Sequence, residues 1–332
     1  MATKIGLDLG TANSIIAVVG KRDIISEPTV VAIATHDKKV VAIGNDAKGM
    51  LGKVPADIEA RRPIRQGVIA SYKLTEMIIT HLMQKVLGKV RFFKPEIMIS
   101  VPAGITSVEE RAVIEACVQA GAGKVYLIPE PIAAAIGANM PIGGAAGNMI
   151  VSMGGGTSEI AVMSMNGIVT FESKRIAGDA LNESMVNFIR KKTGLIIGEQ
   201  MAERIKIEIG SALPVKEPLV MEIRGRDGTT GMPTSVELNT NDVVDGFKPV
   251  LNEIINAIKE VLERTPPELA SDIIDRGMVL TGGTALLRNI DDLFTKATGV
   301  SAHVVEEPEK AVINGIIHAL QNLEQIHRII KS

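Results

Sequence analysis

The chain has 332 residues, of which 46% are hydrophobic and 22% charged, and its formal net charge at pH 7 is −2. This length suffices for two domains with sizeable cores, and the near-neutral charge excludes the global basic field of nucleic-acid-binding proteins. Aromatic residues make up only 2% of the chain, so single strands would find almost no stacking platform and no nucleic-acid partner is expected.

Apolar runs rich in Val and Ile alternate with amphipathic segments in the first half of the chain. Short apolar or alternating runs predict strands, and longer runs with helical periodicity predict helices. The predicted strands lie at residues 4–9, 14–19, 29–34, 40–43, 96–101 and 125–128, and the predicted helices at 74–86 and 107–120. Thr106, Glu109 and Glu110 mark the start of the second helix, because a hydroxyl cap followed by carboxylates suits a helix N-terminus.

The second half of the chain shows the same alternation. Its predicted strands lie at residues 148–152, 159–164 and 277–280, and its predicted helices at 182–193, 198–209, 240–264 and 289–297. Strands and helices that alternate along a chain are typical of α/β proteins, so this is the predicted fold class.

An internal repeat connects the two halves. Residues 4–11 and 148–155 align at an offset of 144 residues, and residues 16–18 fall on 160–162 at the same offset. Each copy predicts a β-hairpin whose glycine-containing turn exposes backbone N–H groups. One interpretation is two unrelated hairpins, which are a common unit. The other is a duplicated fold in which two lobes hold a ligand between matching turns.

Three glycine-containing turns have the composition of phosphate-binding loops, at residues 8–13, 154–158 and 279–286. Phosphate binding requires convergent backbone N–H groups and small residues that permit close approach. No Gly-Lys-Ser/Thr sequence follows a glycine-rich stretch, and neither of the first two turns matches the dinucleotide pattern. Each turn alone is a weak signal, because glycine-rich hairpins and strand-to-helix loops are usually ordinary turns. The carboxylate of Asp8, at a strand end, suits magnesium held through its water shell.

Four motifs resemble the set shared by actin, the heat-shock chaperone ATPases and sugar kinases. They are Asp-Leu-Gly-Thr-Ala-Asn at 8–13, Glu-Pro-Ile-Ala-Ala-Ala-Ile-Gly-Ala at 130–138, Gly-Gly-Gly-Thr-Ser-Glu at 154–159 and Leu-Thr-Gly-Gly-Thr-Ala-Leu-Leu at 280–287. The segments at 62–70, 101–109 and 263–269 are similar to those of the bacterial actin-like MreB family, and the similarity covers essentially the whole chain. The resemblance implies an actin-like ATPase fold of the α/β class, with two duplicated lobes, each a mixed sheet flanked by helices, and two smaller subdomains.

The resemblance also implies limits for four subdomains. Subdomain IA would comprise residues 1–32, 67–145 and 316–332, and subdomain IB residues 33–66. Subdomain IIA would comprise residues 146–175 and 249–315, and subdomain IIB residues 176–248. The two smaller subdomains carry longitudinal contacts in filaments of this family, so they are expected to do so here. Gly315 is expected in the second element that connects the lobes.

Specific residues are expected to bind ATP or ADP with Mg²⁺, on the basis of the same resemblance. Glu130 and Thr157 match the groups that position the attacking water, and Asp8 matches the acid that holds magnesium through water. The nucleotide-binding residues would be Asp8, Gly10, Thr11, Ala12, Asn13, Gly154, Gly155, Gly156, Thr157, Gly178, Asp179, Glu203, Lys206, Gly282, Gly283 and Thr284. Without the resemblance, Glu130 is a helix-start carboxylate, and Glu203 with Lys206 is a solvated ion pair.

Two positions depart from the family pattern. Ser152 stands where the second phosphate loop carries aspartate, and Pro129 replaces an acid before Glu130. A serine adds no charge to the magnesium water shell, and phosphoryl transfer depends on positioning and charge stabilisation. The hypothesis is that the protein binds ATP but hydrolyses it slowly. In the alternative interpretation Asp8 carries the metal alone and Ser152 is tolerated.

Phe92 and Phe93 lie among Lys89, Arg91 and Lys94. Adjacent aromatic rings beside cations are typical of an interfacial membrane anchor, and relatives in the MreB family bear a hydrophobic loop at the matching place. Alternatively, one ring packs under the helix predicted at 74–86. If the rings do contact the inner face of the cytoplasmic membrane, binding would require many copies in one filament.

The expected function is an ATP-binding actin-like protein that polymerises with itself and organises cell shape. A small-molecule kinase of the sugar-kinase type is the alternative, although no inserted segment is evident that would build a sugar pocket. A chaperone-type ATPase is a third possibility, for which a substrate-binding module after residue 332 would be expected. The single cysteine, Cys117, and a start without a secretory pattern favour the cytoplasm, with a peripheral position at the membrane.

Overall fold

A computed structural model describes residues 3–88 and 93–323. The strands are β1 Lys4–Leu9, β2 Asn13–Val18, β3 Ile24–Pro28, β4 Val31–Ala34, β5 Val40–Ile43, β6 Ile58–Arg61, β7 Ile64–Arg65, β8 Val68–Ile69, β9 Glu96–Val101, β10 Lys124–Pro129, β11 Asn148–Met153, β12 Ser158–Ser164, β13 Gly167–Lys174, β14 Leu195–Ile196, β15 Val220–Asp227, β16 Pro233–Asn239, β17 Met278–Thr281 and β18 Ala302–Val304. The α-helices are α1 Asn45–Lys48, α2 Tyr72–Leu87, α3 Ser107–Gln119, α4 Glu130–Gly137, α5 Gly178–Thr193, α6 Glu199–Glu208, α7 Thr240–Arg264, α8 Pro267–Arg276, α9 Ile290–Thr298 and α10 Ala311–Gln321.

Two five-stranded sheets share one topology. The first has the strand order β10-β9-β1-β2-β3, and the second has the order β18-β17-β11-β12-β13. In each sheet the central hairpin is antiparallel, with Asp8 opposite Ile15 in the first and Ser152 opposite Glu159 in the second. The strands on the other side of β1 and β11 run parallel to them. The predicted duplication is therefore confirmed, and each sheet forms the centre of one lobe.

Smaller sheets extend from each lobe. Strands β5-β4-β6 form a three-stranded sheet after the first hairpin, and β14-β15-β16 form another between α5 and α7. The strands of the second small sheet expose about every second side chain, since only one face packs on the protein. The second small sheet falls within residues 176–248, and the first falls within residues 33–66 except for Val31 and Ala32 of β4. The limits of the four subdomains stay a prediction.

Three large hydrophobic clusters form the core of the molecule, one in each lobe and one between the lobes. One lies in the first lobe around β1, β9, α2 and α3, and another in the second lobe around β11, α5 and α7. The third combines Ile15 and Met98 of the first sheet with Ile150 and Ala161 of the second. Helices α4 and α10 complete this third cluster, so the lobes share a dry core rather than a loose linker.

Helices α4 and α10 cross at two glycines. A Cβ atom added to Gly137 would lie 1.8 Å from the carbonyl oxygen of Ala311, and one added to Gly315 would lie 1.7 Å from that of Ala133. Only glycine permits such a close approach of two helix backbones. Gly315 thus lies in a helix that contacts both lobes, as expected for a connecting element.

The structure differs most from the sequence predictions at an exposed hairpin and at a connection between two sheets. The exposed hairpin β15–β16 was not predicted, because its charged residues obscure the alternation of buried positions. The strand predicted at 29–34 begins only at Val31, as β4, and the preceding strand β3, which ends at Pro28 and was not predicted, belongs to a different sheet. Between them, the Thr29 N–H donates to the Ala12 carbonyl, which ties this change of direction to the first glycine turn. No helix in the described part of the chain is long and apolar enough to cross a bilayer.

Candidate functional site

A cavity of about 410 Å³ opens between the two lobes. Its volume falls within the range of roughly 300–1,000 Å³ that small-molecule sites occupy. The structure places every residue predicted to touch nucleotide on its wall: Asp8, Gly10, Thr11, Ala12, Asn13, Glu130, Gly154, Gly155, Gly156, Thr157, Gly178, Asp179, Glu203, Lys206, Gly282, Gly283 and Thr284. Segments separated by more than 270 residues in sequence thus converge on one space.

The two glycine turns of the duplicated hairpins touch each other across the cleft. A Cβ atom added to Gly155 would lie 2.7 Å from the Cβ of Ala12, and one added to Gly156 would lie 2.3 Å from the Thr11 Oγ1. The second of these positions is also 3.0 Å from the Cα of Gln66. The turns can approach this closely only because both positions in the second turn lack a side chain.

Hydrogen bonds fix the carbonyl groups of the first turn. The Thr29 hydroxyl donates to the Gly10 carbonyl at 2.7 Å, and the Thr29 N–H donates to the Ala12 carbonyl at 2.9 Å. In a planar trans peptide the N–H and C=O groups point in opposite directions. The N–H groups of Thr11 and Asn13 therefore point away from Thr29.

The second turn is fixed in the same way by different partners. The Thr284 hydroxyl donates to the Gly154 carbonyl at 2.8 Å, and the Asp179 N–H donates to the Gly155 carbonyl at 2.7 Å. By the same geometry the N–H groups of Gly155 and Gly156 point away from these donors. Each lobe thus presents amide hydrogens suited to anionic oxygen.

Asp8 places a carboxylate near the end of β1, just before the first glycine turn. The Ser100 hydroxyl donates to its Oδ1 atom at 2.9 Å. Burial raises the pKa of Asp8 from its usual 3.8 to about 6, and the hydrogen bond from Ser100 opposes that rise. A carboxylate with few protein partners is ready to bind a cation directly or through water.

Glu130 is the first residue of α4 and lies at the base of the cavity. The Ser152 hydroxyl donates to its Oε1 atom at 2.9 Å. Burial raises the pKa of Glu130 well above 4.5, the charges of Glu159 and Asp8 raise it further, and the hydrogen bond from Ser152 lowers it. Ser152 is thus a donor to the predicted catalytic acid, a contact that the sequence did not indicate.

The other end of the cavity is formed by α5 and α6. Lys206 donates from Nζ to the Gly178 carbonyl at 2.9 Å, and burial lowers the pKa of its ammonium group. Glu203 forms an ion pair with Lys48 at 3.1 Å, which bridges the mouth of the cleft. Burial raises the pKa of Asp179. Glu203 and Lys206 are therefore not paired with each other, so the solvated ion-pair interpretation is wrong.

Several lining residues escaped the sequence prediction. They are Gly67, Ser100, Pro102, Asn182, Ile207, Leu286, Leu287, Pro308, Glu309 and Val312. Ile207 and Leu286 are 65% and 61% exposed, so they offer apolar surface at the cavity rather than core packing. The Gln-Gly dipeptide at 66–67 is the one signal in the sequence that could have indicated a turn here. Both residues adopt positive φ, and the Gly67 N–H donates to the Thr11 hydroxyl.

The acidic groups fit magnesium held mainly by water and phosphate. Within residues 3–88 and 93–323, no cluster of three or more His, Cys, Asp or Glu side chains could enclose a metal ion. Mg²⁺ usually binds one or two carboxylates and keeps several waters. Asp8 satisfies that pattern, and Ser152 contributes only a hydroxyl.

The proposed membrane segment is only partly described. Phe93 is 82% exposed, so this ring does not pack under α2. Phe92 lies outside the described residues.

Known structures of high similarity have the same architecture. The chain superposes with a TM-score of 0.94 on MreB5 of Spiroplasma citri bound to AMPPNP, at 29% identity over 99% of this chain and 98% of that chain. A MamK double helical filament gives a TM-score of 0.81 at 18% identity over 97% of this chain and 99% of that chain, which supports the fold alone. With its duplicated lobes and the cleft between them, the molecule is an actin-like protein.

Sequence comparison narrows that class to one family. The family described as MreB/Mbl protein matches residues 2–328. The chain is 46% identical over 326 residues to the cell shape-determining protein MreB of Escherichia coli strain K12, covering 96% of this chain and 94% of that protein. It is 43% identical over 325 residues to the cell shape-determining protein Mbl of Bacillus subtilis strain 168, covering 98% of each. The chain therefore belongs to the MreB/Mbl family, and the predicted resemblance is confirmed.

Proposed function

We propose that this actin-like cytoskeletal protein binds ATP with Mg²⁺ between its lobes and assembles into filaments that lie on a membrane. The observation that carries the proposal is the contact between the two glycine turns, at Gly155 and Ala12, on the wall of one cavity. Because both lobes present amides to one ligand, the number of phosphates on that ligand would affect the relative position of the lobes. The solved MreB5 of Spiroplasma citri is described with AMPPNP and with ADP, which supports a nucleotide as the ligand.

The triphosphate would lie against the two turns. The N–H groups of Thr11, Gly155 and Gly156 would donate to its oxygens, and no lysine of the Walker type is required. Asp8 would hold Mg²⁺ through water, and the ion would neutralise charge that develops on the phosphates. Polymerisation would then favour the closed arrangement of lobes in which these donors converge.

The nucleoside would occupy the region between α6 and the loop at 282–286. The exposed apolar side chains of Ile207 and Leu286 line this part of the cavity and suit the faces of a base. Lys206 and Glu203 lie on the same helix and would contact the sugar or base through hydrogen bonds.

Hydrolysis would use Glu130 to orient a water molecule and Thr157 to hold it near the terminal phosphate. The Ser152 hydroxyl holds one carboxylate oxygen of Glu130, which leaves the other oxygen to accept from water. Ser152 adds no negative charge near the metal, so the chemical step should be slower than with aspartate there. We therefore propose that the protein binds ATP and hydrolyses it slowly.

Family membership and the exposed ring of Phe93 support filament formation and membrane binding. MamK, which shares the fold, is described as a double helical filament. A single exposed phenylalanine binds a bilayer weakly, whereas many copies in one filament would bind it together. The membrane partner would be the inner face of the cytoplasmic membrane.

Two measurements test the nucleotide proposal. Equilibrium titration with a fluorescent ATP analogue should give Mg²⁺-dependent binding, and single-turnover phosphate release should accelerate at least about tenfold in Ser152→Asp, which is about 1.4 kcal/mol of barrier. Ser152→Asn is the matched control, because it has the size of aspartate without its charge. Equal rates in the native protein, the Asp variant and the Asn variant would show that the missing charge does not limit hydrolysis.

Two further assays test assembly. Negative-stain microscopy with Mg²⁺ and ATP should show straight filaments that are absent without nucleotide. Phe92→Ser combined with Phe93→Ser should abolish co-sedimentation with anionic liposomes and leave nucleotide binding unchanged. Liposome binding that survives the double substitution would exclude this segment as the anchor.

A further inference from the structure

Glu159 is a fully buried carboxylate next to the catalytic region, and the phosphate-binding function above gives it no role. It lies at 0% exposure near the start of β12, two residues after Thr157 and directly opposite Ser152 in the strand register. A buried carboxylate is strongly unfavourable unless donors satisfy its oxygens. The identity of its donors therefore indicates which contacts it maintains.

The two oxygens of Glu159 accept from different lobes. Oε1 accepts from the Ser173 hydroxyl on β13, which belongs to the same sheet as Glu159. Oε2 accepts from the backbone N–H of Ala103 at 3.0 Å, and Ala103 follows β9 in the sheet of the first lobe. The side chain thus forms a charge-assisted hydrogen bond across the cleft.

Neighbouring contacts make this a continuous junction between the lobes. Arg175, just after β13, donates to Glu109 of α3 at 3.3 Å. A Cβ atom added to Gly104 would lie 3.5 Å from the ring of Phe171, at ordinary van der Waals distance. The segment after β9 therefore packs along β13, and a rotation of one lobe against the other would separate these groups.

The junction borders the predicted catalytic residues. A second cavity of about 370 Å³ lies beside it and shares Thr157, Pro102 and Ile105 with the nucleotide cavity. Glu159 also lies opposite Ser152 in the strand register, and the Ser152 hydroxyl donates to Glu130. A movement of the lobes that breaks the bond to Ala103 would shift Thr157, which immediately precedes β12, relative to the first lobe.

We propose that Glu159 is a positioning residue that couples closure of the two lobes to ATP hydrolysis, by holding the Ala103 loop of the first lobe against β12 and β13 of the second. In the closed protein the bond to Ala103 keeps Thr157 of the second lobe and Glu130, the first residue of α4, at one cavity, where both can contact the attacking water. If the lobes open, the buried Glu159 carboxylate loses the N–H donor of Ala103, so opening is disfavoured. Opening also separates Thr157 from Glu130. The inference rests on the nucleotide-binding function proposed above.

Three variants separate positioning from simple structural support. Glu159→Ala removes both acceptors, Glu159→Gln keeps an oxygen for the Ala103 N–H, and Ser173→Ala removes only the donor within the same lobe. In single-turnover hydrolysis with saturating Mg²⁺ and ATP, we expect the Ala variant to slow at least roughly tenfold while its Kd for ATP changes less than about threefold. The Gln and Ser173→Ala variants should stay within about threefold of the native rate.

Amide exchange provides a readout that does not depend on turnover. In the native full chain, AMPPNP with Mg²⁺ should slow exchange in the peptide that contains Ala103, whose preceding residue, Pro102, has no N–H. Ser173→Ala and Glu159→Gln should retain this ligand-induced protection, and Glu159→Ala should lose it. If the native protein binds AMPPNP but its Ala103 peptide behaves as in Glu159→Ala, the positioning role is wrong and the proposed function stands. If the native protein binds no nucleotide, both are wrong.

Discussion

The two central hairpins have the same topology but differ in the chemistry at one matched position. In the first hairpin Asp8 accepts a hydrogen bond from Ser100 on the neighbouring parallel strand. In the second hairpin Ser152 replaces the carboxylate, and its neighbour on the parallel strand is Thr281. The Thr281 hydroxyl is buried and has no hydrogen-bond partner within residues 3–88 and 93–323.

The unpaired Thr281 hydroxyl marks a chemical difference between the two hairpins. A carboxylate at 152 would match Asp8 and could accept from Thr281 as Asp8 accepts from Ser100. Ser152 instead donates to Glu130 at 2.9 Å and leaves Thr281 unsatisfied. A duplicated fold can therefore keep its backbone while one copy exchanges the carboxylate proposed to hold metal for a hydrogen bond to Glu130, the proposed catalytic acid.

The largest expected effect comes from separating the two hairpins. Gly156→Ala should weaken ATP binding by about a hundredfold or more, since the new Cβ atom would overlap Thr11 and the backbone of Gln66. Titration with a fluorescent ATP analogue measures this change. Gly198→Ala is the control, because its φ is −89° and no heavy atom lies within 4 Å of the new Cβ atom. Native affinity in Gly156→Ala would contradict a shared phosphate site.

The titration of Asp8 gives the next largest effect. Its pKa is raised to about 6, and Mg²⁺ binds the ionised form, so lowering the pH through 6 should weaken Mg²⁺-dependent ATP binding. We expect about tenfold weaker affinity at pH 5 than at pH 7. Asp8→Asn should remove this component and retain only the titration of the nucleotide itself. An identical pH profile in the native and Asn proteins would rule out Asp8 as the metal group.

The unsatisfied Thr281 hydroxyl allows a double-mutant test of the hairpin comparison. In the native chain, Thr281→Val should raise the free energy of unfolding by roughly 1 kcal/mol, because it removes a buried hydroxyl that has no hydrogen-bond partner within the described residues. In the Ser152→Asp background, the same change should lower it by roughly 1–2 kcal/mol, because a bond to a carboxylate is lost. Urea unfolding of the four proteins gives both values. Equal changes in the two backgrounds would mean that Thr281 does not respond to residue 152.

The smallest effect is expected at the outer edge of the cleft. Lys48 pairs with Glu203 and Arg62 with Glu199, each at 3.1 Å, and one or both partners of each pair are exposed to solvent. Lys48→Ala and Arg62→Ala should therefore accelerate nucleotide release less than about fivefold. Stopped-flow displacement measures that rate. A much larger acceleration for Lys48→Ala alone would indicate that this lysine touches the nucleotide directly.

The glycine turns of the candidate site were predictable because their backbone chemistry depends on glycine, whereas Glu130, Asp179, Glu203 and Lys206 were predicted only from the family resemblance. Gly10, Gly155 and Gly156 stand at turns where an added Cβ atom would overlap neighbouring atoms. This requirement is visible in the sequence as glycines within short turn patterns. The missed residues have no such signal. Ser100 and Pro102 line the cavity only because β9 lies beside β1 in the sheet.

The sequence by itself determined the α/β class, the repeated hairpins and the positions of the three glycine turns, since these follow from local periodicity and from residues that the backbone geometry requires. Only the tertiary structure decided how those parts meet. The donation from Ser152 to Glu130, the unpaired hydroxyl of Thr281 and the bond from Ala103 to Glu159 each join residues from different elements. Such contacts depend on side-chain distances across packed sheets, and no pattern along the chain encodes those distances.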